Sequence, residues 1–335
     1  MSNERITLAH GAGGKLSQEL MTKIILPAFG NPYLNELHDG ARLKIAGEIA
    51  FTTDSYVINP LFFPGGNIGK LAVCGTVNDL AMTGAVPRYI SAGVILEEGF
   101  PLEKLRAIVA TMAATAKEAG VAIVTGDTKV VPKGACDGIF INTAGVGEII
   151  PGVRISPKQV KKGMQVILSG YIGNHAAVIT AGRHGLNLPP GITSDSAPLN
   201  HLTEAMLQAV PDIALLRDAT RGGVAAVLNE IAMAASLSVI IREEAIPVLP
   251  EVAGVADMLG LDPLEMANEG TLVAFVPPAK TEAVLAVMRE FKEGKEARLI
   301  GEVTDDAPGK VAMRTTVGGL RLIDMPLGEL VPRIC

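Results

Sequence analysis

Strand-like and helix-like segments alternate along the whole of this 335-residue chain, and a chain patterned this way must build mixed layers of sheet and helix. Residues 16–27 place Leu16, Leu20, Ile24 and Ile25 on one helical stripe. Short strand-like runs at 43–45 and 48–53 follow, then a helix over 68–83. Residues 88–96 predict a strand, and 101–119 a helix with Pro101 at its start and Gly120 at its stop. Two more strands, 121–125 and 138–149, complete a first half. The run Pro151-Gly152-Val153-Arg154-Ile155-Ser156-Pro157-Lys158 breaks the pattern. The alternation then resumes: strands at 164–168, 238–242, 271–276 and 299–303, helices at 174–182, 199–210, 222–235 and 282–291, and a hairpin of 310–315 with 320–323. With 37 Gly and 21 Pro dispersed along the chain, the elements must be short and tightly joined. The reading is α/β (α+β) with two domains of similar construction, 1–150 and 151–323.

The last twelve residues, 324–335, carry prolines and a glycine, which argue against a long helix or a central strand. They form an arm ending in Cys335. An extended chain covers ~3.3–3.6 Å per residue, so such an arm sweeps its thiol through roughly 40 Å. Taken alone, a frayed terminus explains this equally well.

Composition excludes several function classes. A net charge of −6 disfavours a nucleic-acid partner, since phosphate backbones want a basic surface. Three Cys are too few for a disulfide framework and point to a reducing compartment. Cys74 reads as a small core residue, and Cys136 as a loop residue with no assigned role. The N-terminal residues have no apolar segment of a secretory signal, and no run is long enough to span a membrane. The expectation is a cytoplasmic protein without a membrane partner.

Four aspartates, Asp54, Asp79, Asp127 and Asp218, stand just beyond apolar runs, and ligands of α/β sheets gather at strand ends. Carboxylates collected there supply the oxygen ligands Mg²⁺ prefers, with phosphates and water completing the octahedron. Each alone is as well explained as a cap or turn residue. Two glycine loops, His10-Gly11-Ala12-Gly13-Gly14-Lys15 and Pro64-Gly65-Gly66-Asn67-Ile68-Gly69-Lys70, open helices and let backbone N–H groups approach phosphate. Neither is a P-loop, because Leu follows each Gly-Lys pair. Lys129 is placed to neutralise phosphate, or is a solvated lysine. Glu269 is a general base or a turn residue. His10, His175, His184 and His201 are scattered without zinc spacing.

The run Thr53-Asp54-Ser55-Tyr56-Val57-Ile58-Asn59-Pro60-Leu61-Phe62-Phe63-Pro64-Gly65-Gly66-Asn67-Ile68-Gly69-Lys70 resembles the HypE family of hydrogenase maturation proteins. So do Gly126-Asp127-Thr128-Lys129-Val130-Val131, Arg217-Asp218-Ala219-Thr220-Arg221-Gly222-Gly223, Ala267-Asn268-Glu269-Gly270 and the ending Pro332-Arg333-Ile334-Cys335. The likeness spans essentially the whole chain and places it in the superfamily of aminoimidazole ribonucleotide synthetase and selenophosphate synthetase.

The resemblance implies a two-domain fold whose N-terminal sheet pairs across a homodimer, with a mobile C-terminal tail. It implies that a carbamoyltransferase, HypF, loads a carboxamide onto Cys335. ATP and Mg²⁺ then drive dehydration to a thiocyanate, and cyanide passes to iron on a HypC–HypD scaffold. It further implies Asp54, Asp79 and Asp218 on the metal, with Gly13, Gly14, Lys15, Asp127 and Thr128 on the nucleotide. Asp127 is alternatively a further metal ligand. Glu269 would be the base and Lys129 the cation that steadies developing charge. Two rivals remain: a sister enzyme (a small-molecule kinase or a selenophosphate synthetase), and a non-enzymatic carbamoyl carrier that leaves the aspartates idle.

Overall fold

The computed structural model describes residues 5–12, 14–37, 40–186, 188–189, 191–328, 331 and 333–335. The first helical stretch is α1 (Lys15–Leu20), one π-type turn at Met21–Ile25, and α2 (Leu26–Phe29). Leu20 and Ile24 are its buried side chains, whereas Leu16 is exposed and Ile25 half-buried, so only part of the expected stripe packs and the helix is not regular. The strand expected at 43–45 does not form, and residues 41–46 are irregular. Three residues without a neighbour to pair with gain too little for β-propensity to hold them.

Four strands form the first sheet: β1 (Ile49–Tyr56), β4 (Ala85–Glu97), β5 (Ala122–Val131) and β6 (Ile139–Ile149), in the order β1-β6-β4-β5. A small hairpin, β2 (Phe62–Phe63) with β3 (Gly66–Asn67), leads into α3 (Ile68–Met82), and α4 (Leu102–Ala119) lies beside it. Helix α3 buries 13 of its 15 residues, which is why its apolar residues fall on every side rather than along one stripe. A Cβ at Gly69 would lie 2.6 Å from the Ile108 carbonyl oxygen, so that glycine permits the close crossing of α3 and α4. The α3 N-terminus is capped by the Asn67 side chain, which accepts from the Gly69 and Lys70 N–H groups. Its free donors are thus used internally, and the second glycine loop serves packing rather than phosphate.

The other face of this sheet carries Ile49, Phe51 and Ile95, which are 53%, 68% and 41% exposed. Pairing registers align Ser55, Asn142, Gly93 and Asp127 across it, with Lys129 opposite Ile95.

The second half contains α5 (Asn174–Arg183), α6 (Asn200–Ala209), α7 (Gly223–Ala235), α8 (Pro250–Leu259) and α9 (Thr281–Arg289). Its strands are β7 (Gln165–Leu168), β8 (Leu215–Asp218), β9 (Ser238–Arg242), β10 (Leu272–Val276), β11 (Arg298–Thr304), β12 (Val311–Arg314) and β13 (Leu320–Ile323). They form one sheet in the order β13-β12-β9-β11-β7-β10-β8, antiparallel except between β12 and β9. Helix α7 packs on one face, with Val224 and Leu228 against Val239 and Phe275. Helices α6 and α9 cover the other, with Leu202 and Val284 against Ile167 and Leu216.

Helix α8 and strand β8 have no counterpart among the expected elements. Strand β8 is four residues long, at the limit of what alternation can reveal. Helix α8 joins α5 in a core shared with the first half, where Val252, Ala177 and Ile179 pack with Leu71, Ile108 and Ile334. The two halves are therefore joined by common apolar packing, and the chain's penultimate residue belongs to it.

Candidate active site

Three of the four aspartates come together, though not by the expected route. Asp218 does end a strand, but Asp54 lies within β1, Asp127 within β5, and Asp79 well inside α3. Asp54 shares the sheet face that α3 covers, and Thr52 on that face donates to the Asp79 carboxylate at 2.8 Å. Asp218 arrives from the second sheet and is 8% exposed. Burial, then repulsion from Asp79, pushes its carboxyl up to about 7, with Arg217 opposing. Burial likewise raises Asp79, and Asp54 adds to the rise. A cleft of about 510 Å³ opens beside Thr52, Asp79, Arg217 and Asp218.

Glu269 sits at the mouth of β10 and is 4% exposed. Its carboxyl is driven well up by burial, then by the charges of Asp195, Asp218 and Asp54, with Arg221 opposing. Burial and neighbouring charge of this kind mark carboxyls that exchange protons in active sites. The loop that carries it is held by Asp195, whose Oδ2 accepts from the N–H of Glu269 at 3.1 Å and of Gly270 at 2.9 Å, and from the Thr271 hydroxyl at 3.2 Å. Adding a Cβ at Gly270 would strike the Asp195 backbone, so this position needs glycine. Asp195 went unread because Thr193-Ser194-Asp195-Ser196 looks like an ordinary turn.

The other expected residues lie elsewhere. Lys129 and Asp127 form an exposed ion pair at 3.0 Å, on the sheet face opposite α3. Their strand, β5, is three strands from β1, or about 14 Å at the usual spacing. Lys129 is not among the charges that act most on Glu269. Gly14 caps α1 and Lys15 begins it. A Cβ at Gly11 would lie 2.7 Å from the Val130 backbone nitrogen, so the first glycine loop packs beside Asp127, Thr128 and Lys129. Gly13 falls outside the described residues. The described residues thus form two separate groups. An acidic group contains Asp54, Asp79, Asp218 and Glu269. A second carries the first glycine loop and Lys129.

The described tail residues 333–335 lie between residues 57–59, just after β1, and helix α5 of the second half. The Val57 N–H donates to the Cys335 backbone oxygen at 3.0 Å, and the Asn59 N–H to the Arg333 carbonyl at 3.3 Å. Ile334 is 2% exposed, a burial worth about 1.5–3 kcal/mol. The Arg333 guanidinium donates to the Val57 carbonyl at 2.8 Å and pairs with Asp137 at 2.5 Å. Its φ of 55° is left-handed, a conformation that costs a non-glycine residue about 1–2 kcal/mol. Ile334 also lines a cavity of about 410 Å³ with Met266, Ala267 and Arg221, two residues from Glu269. Adjacent to Val57, Tyr56 is buried, and its phenol is pushed up by burial and then by Asp54 and Glu269. Gly75 leaves room for that hydroxyl.

His175, read from sequence as one of several scattered histidines, is wholly buried. Its Nε2 lies 2.8 Å from the Ile334 carbonyl oxygen and its Nδ1 2.8 Å from the Ser194 hydroxyl. Cys74 is buried, and its thiol is pushed up by burial.

Among the described residues no helix is long and apolar enough to cross a membrane. Nor do three His, Cys, Asp or Glu side chains stand close enough to hold an ion unaided.

The models for AIR synthase related proteins match the chain over residues 37–149 for the N-terminal domain and 161–314 for the C-terminal domain. Carbamoyl dehydratase HypE of Rhodobacter capsulatus is 50% identical over 338 aligned positions, covering 100% of this chain and 99% of that protein. The crystal structure of hydrogenase maturation protein HypE in complex with ATP superposes with a TM-score of 0.96 at 47% identity, covering 98% and 99% of the two chains. A HypE–HypF complex matches with a TM-score of 0.81 at 46% identity, covering 93% of this chain and 100% of that one. The composite acidic site and the docked terminal cysteine are set in a fold and a sequence shared with these proteins from end to end, and the chain belongs to the HypE family of carbamoyl dehydratases within the AIR synthase related proteins.

Proposed function

We infer that the chain is an ATP-dependent carbamoyl dehydratase acting on its own Cys335, converting an S-carboxamide to a thiocyanate. The observation that carries this reading is the docked tail. The chain's last cysteine is drawn into the groove whose wall leads to Glu269, an arrangement that a small-molecule kinase or a passive carrier has no use for.

The chemistry balances in two steps. The amide oxygen of the loaded Cys335 attacks the γ-phosphorus of ATP, ADP leaves, and one N–H proton is lost. The resulting C=N–H carbon bears a phosphate in place of oxygen. Removal of the second N–H proton expels that phosphate and forms the C≡N bond, so the products are thiocyanate, ADP, hydrogen phosphate and one proton. Glu269 takes the second N–H proton and passes it to the departing phosphate, which leaves as hydrogen phosphate, while the first proton is released to solvent.

The acidic residues fit a divalent cation. Asp79 and Asp218 are carboxylates that burial disfavours in the charged form, with Asp54 adding to the first and Asp79 to the second, and a cation relieves that repulsion. Asp54 is the third oxygen donor. Because these three do not close a site by themselves, the nucleotide's phosphates complete it. When bound, Mg²⁺ supplies charge neutralisation on the transferring phosphoryl group.

On this reading the second group reaches the acidic one through a partner copy. The exposed apolar face bearing Ile49, Phe51 and Ile95 also bears Asp127 and Lys129, so pairing two copies through it carries Gly14, Lys15, Asp127, Thr128 and Lys129 of one towards the acidic cluster of the other. The same reading takes a HypF-type carbamoyltransferase as the loading partner, a HypC–HypD-type iron scaffold as the acceptor of cyanide, and the cytoplasm as the compartment. The arm 324–335 undocks to meet these partners.

Incubation with the carbamoyltransferase, carbamoyl phosphate and ATP tests the loading step. The parent chain gains the carboxamide on its C-terminal peptide, and Cys335→Ala gains none. Loading of Cys335→Ala to the parent's extent would place the carboxamide on another residue and overturn the reading.

A further inference from the structure

The structure assigns His175 as the positioning residue of the C-terminal thiol: its Nε2–H holds the Ile334 carbonyl and fixes where the loaded Cys335 sits. This rests on Cys335 as the loaded group, and goes beyond the acidic site.

The hydrogen-bond directions are settled by chemistry. A carbonyl oxygen only accepts, so at 2.8 Å the Nε2 must carry the proton. Nδ1 is then the bare nitrogen of a neutral ring and accepts from the Ser194 hydroxyl at 2.8 Å. Ser194 Oγ in turn accepts from the Ser196 N–H at 3.1 Å, which orients the hydroxyl towards the ring. The Ile334 carbonyl thus fixes the tautomer, and the Ser194 hydroxyl, itself held by the Ser196 N–H, supplies the matching donor to Nδ1. The ring is clamped from the side as well, edge-on to Phe63 with centroids 5.5 Å apart.

Burial favours the neutral form, lowering the imidazole to about 4, so the contact keeps the same donor throughout the neutral range. His175 is wholly buried, and without it the Ile334 carbonyl would be buried with its partner removed.

The position of this contact gives it its role. It grips the residue immediately before Cys335, whereas Arg183 holds the Arg333 carbonyl at 2.6 Å one residue further back. The Val57 N–H holds the Cys335 oxygen itself. His175 also begins the wall that continues through α5: the Ala176 N–H donates to the Ala267 carbonyl, two residues before Glu269. The same short segment thus touches the tail and the loop of the base, and sets the distance between them.

The test uses the full chain and three variants. His175→Leu removes the donor, His175→Gln restores an N–H at the position of Nε2, and Ser194→Ala releases the tautomer. Peptide-resolved alkylation of Cys335 by a maleimide, in the absence of ATP and of any carbamoyl donor, reads docking alone. His175→Leu is expected to label about tenfold or more faster than the parent, the effect of losing one buried hydrogen bond. Ser194→Ala should label faster by a smaller factor, and His175→Gln should return close to the parent rate. In the loaded protein, His175→Leu should lower the rate of dehydration while the half-saturating concentration of ATP stays unchanged.

Labelling of Cys335 at the parent rate in both His175→Leu and Ser194→Ala overturns the assignment. Should His175→Leu not fold, the Ser194→Ala and His175→Gln pair decides alone. The alkylation arm involves no catalysis, so its failure is distinct from a failure of the dehydratase reading.

Discussion

Replacing Asp218 by Asn should make the resting protein more stable while depriving it of its metal and nucleotide. Asp218 is nearly enclosed, and its carboxyl moves from an ordinary 3.8 up to about 7, through burial first and repulsion from Asp79 second. The native state therefore holds a proton there that the unfolded chain has already lost. Its contribution to stability falls as pH rises from about 4 to about 7, then levels off. At ~1.36 kcal/mol per unit, the charged form opposes folding by about 4 kcal/mol at pH 8. Asn mimics the protonated acid, so Asp218→Asn should gain about 2–4 kcal/mol at pH 8 and nothing near pH 4. Thermal unfolding in the presence of a chelator, followed at both pH values, measures this. Added MgATP should raise the melting temperature of the parent and leave that of Asp218→Asn unmoved. A variant less stable than the parent at pH 8, or one still stabilised by MgATP, would refute the reasoning.

Other outcomes follow from the same geometry. Asp79→Asn should fold and lose MgATP turnover, because Thr52 still has an acceptor while one anionic ligand is gone; unchanged hydrolysis would remove Asp79 from the site. Phe51→Glu puts a charge on the exposed sheet face and should give a monomer by light scattering, with ATP turnover lost as the group with Lys129 departs; a parent that is monomeric at micromolar concentration would contradict the shared site. Because the buried imidazole of His175 stays neutral down to about 4, against 6.5 for an ordinary imidazole, with Arg183 disfavouring the charged form and the Ile334 carbonyl favouring it, the parent gives up stability as pH falls below about 6.5. Between pH 7.5 and 5 it should lose roughly 2 kcal/mol more than His175→Gln, measured by denaturant unfolding.

Much of the site was legible as residue types, and less as positions. Asp54, Asp79 and Asp218, which the structure brings together, stand out in the sequence because they follow apolar runs, yet only Asp218 ends a strand. The run before Asp79 is apolar because α3 is buried on nearly every side, a pattern that a short window cannot distinguish from a buried strand. The separation of Lys129 from Glu269 was hidden for a different reason. A register shift between Ile90 and Ser91 in the pairing of β4 with β5 resets which residues of β5 face outward, and one residue of slip exchanges the two faces of a strand. His175 could not be read at all, since its partner in the tail is 159 positions away. The bulk of the fold was accessible through its alternation. The strand at 43–45 failed because propensity without a partner strand does not suffice, and α8 went unassigned because its stripe faces a core assembled from both halves.

The central claim is that the chain dehydrates the carboxamide carried on its own last residue, with Glu269 as the base. Mass spectrometry of the C-terminal peptide after loading, before and after addition of MgATP, tests it most directly. The parent should lose one water from the carbamoylated Cys335 peptide only when MgATP is present. Glu269→Gln should load equally and lose that water about 10²–10⁴ times more slowly. A loaded Glu269→Gln that loses water as fast as the parent, or a loaded parent that keeps its carboxamide intact in MgATP, would contradict the account.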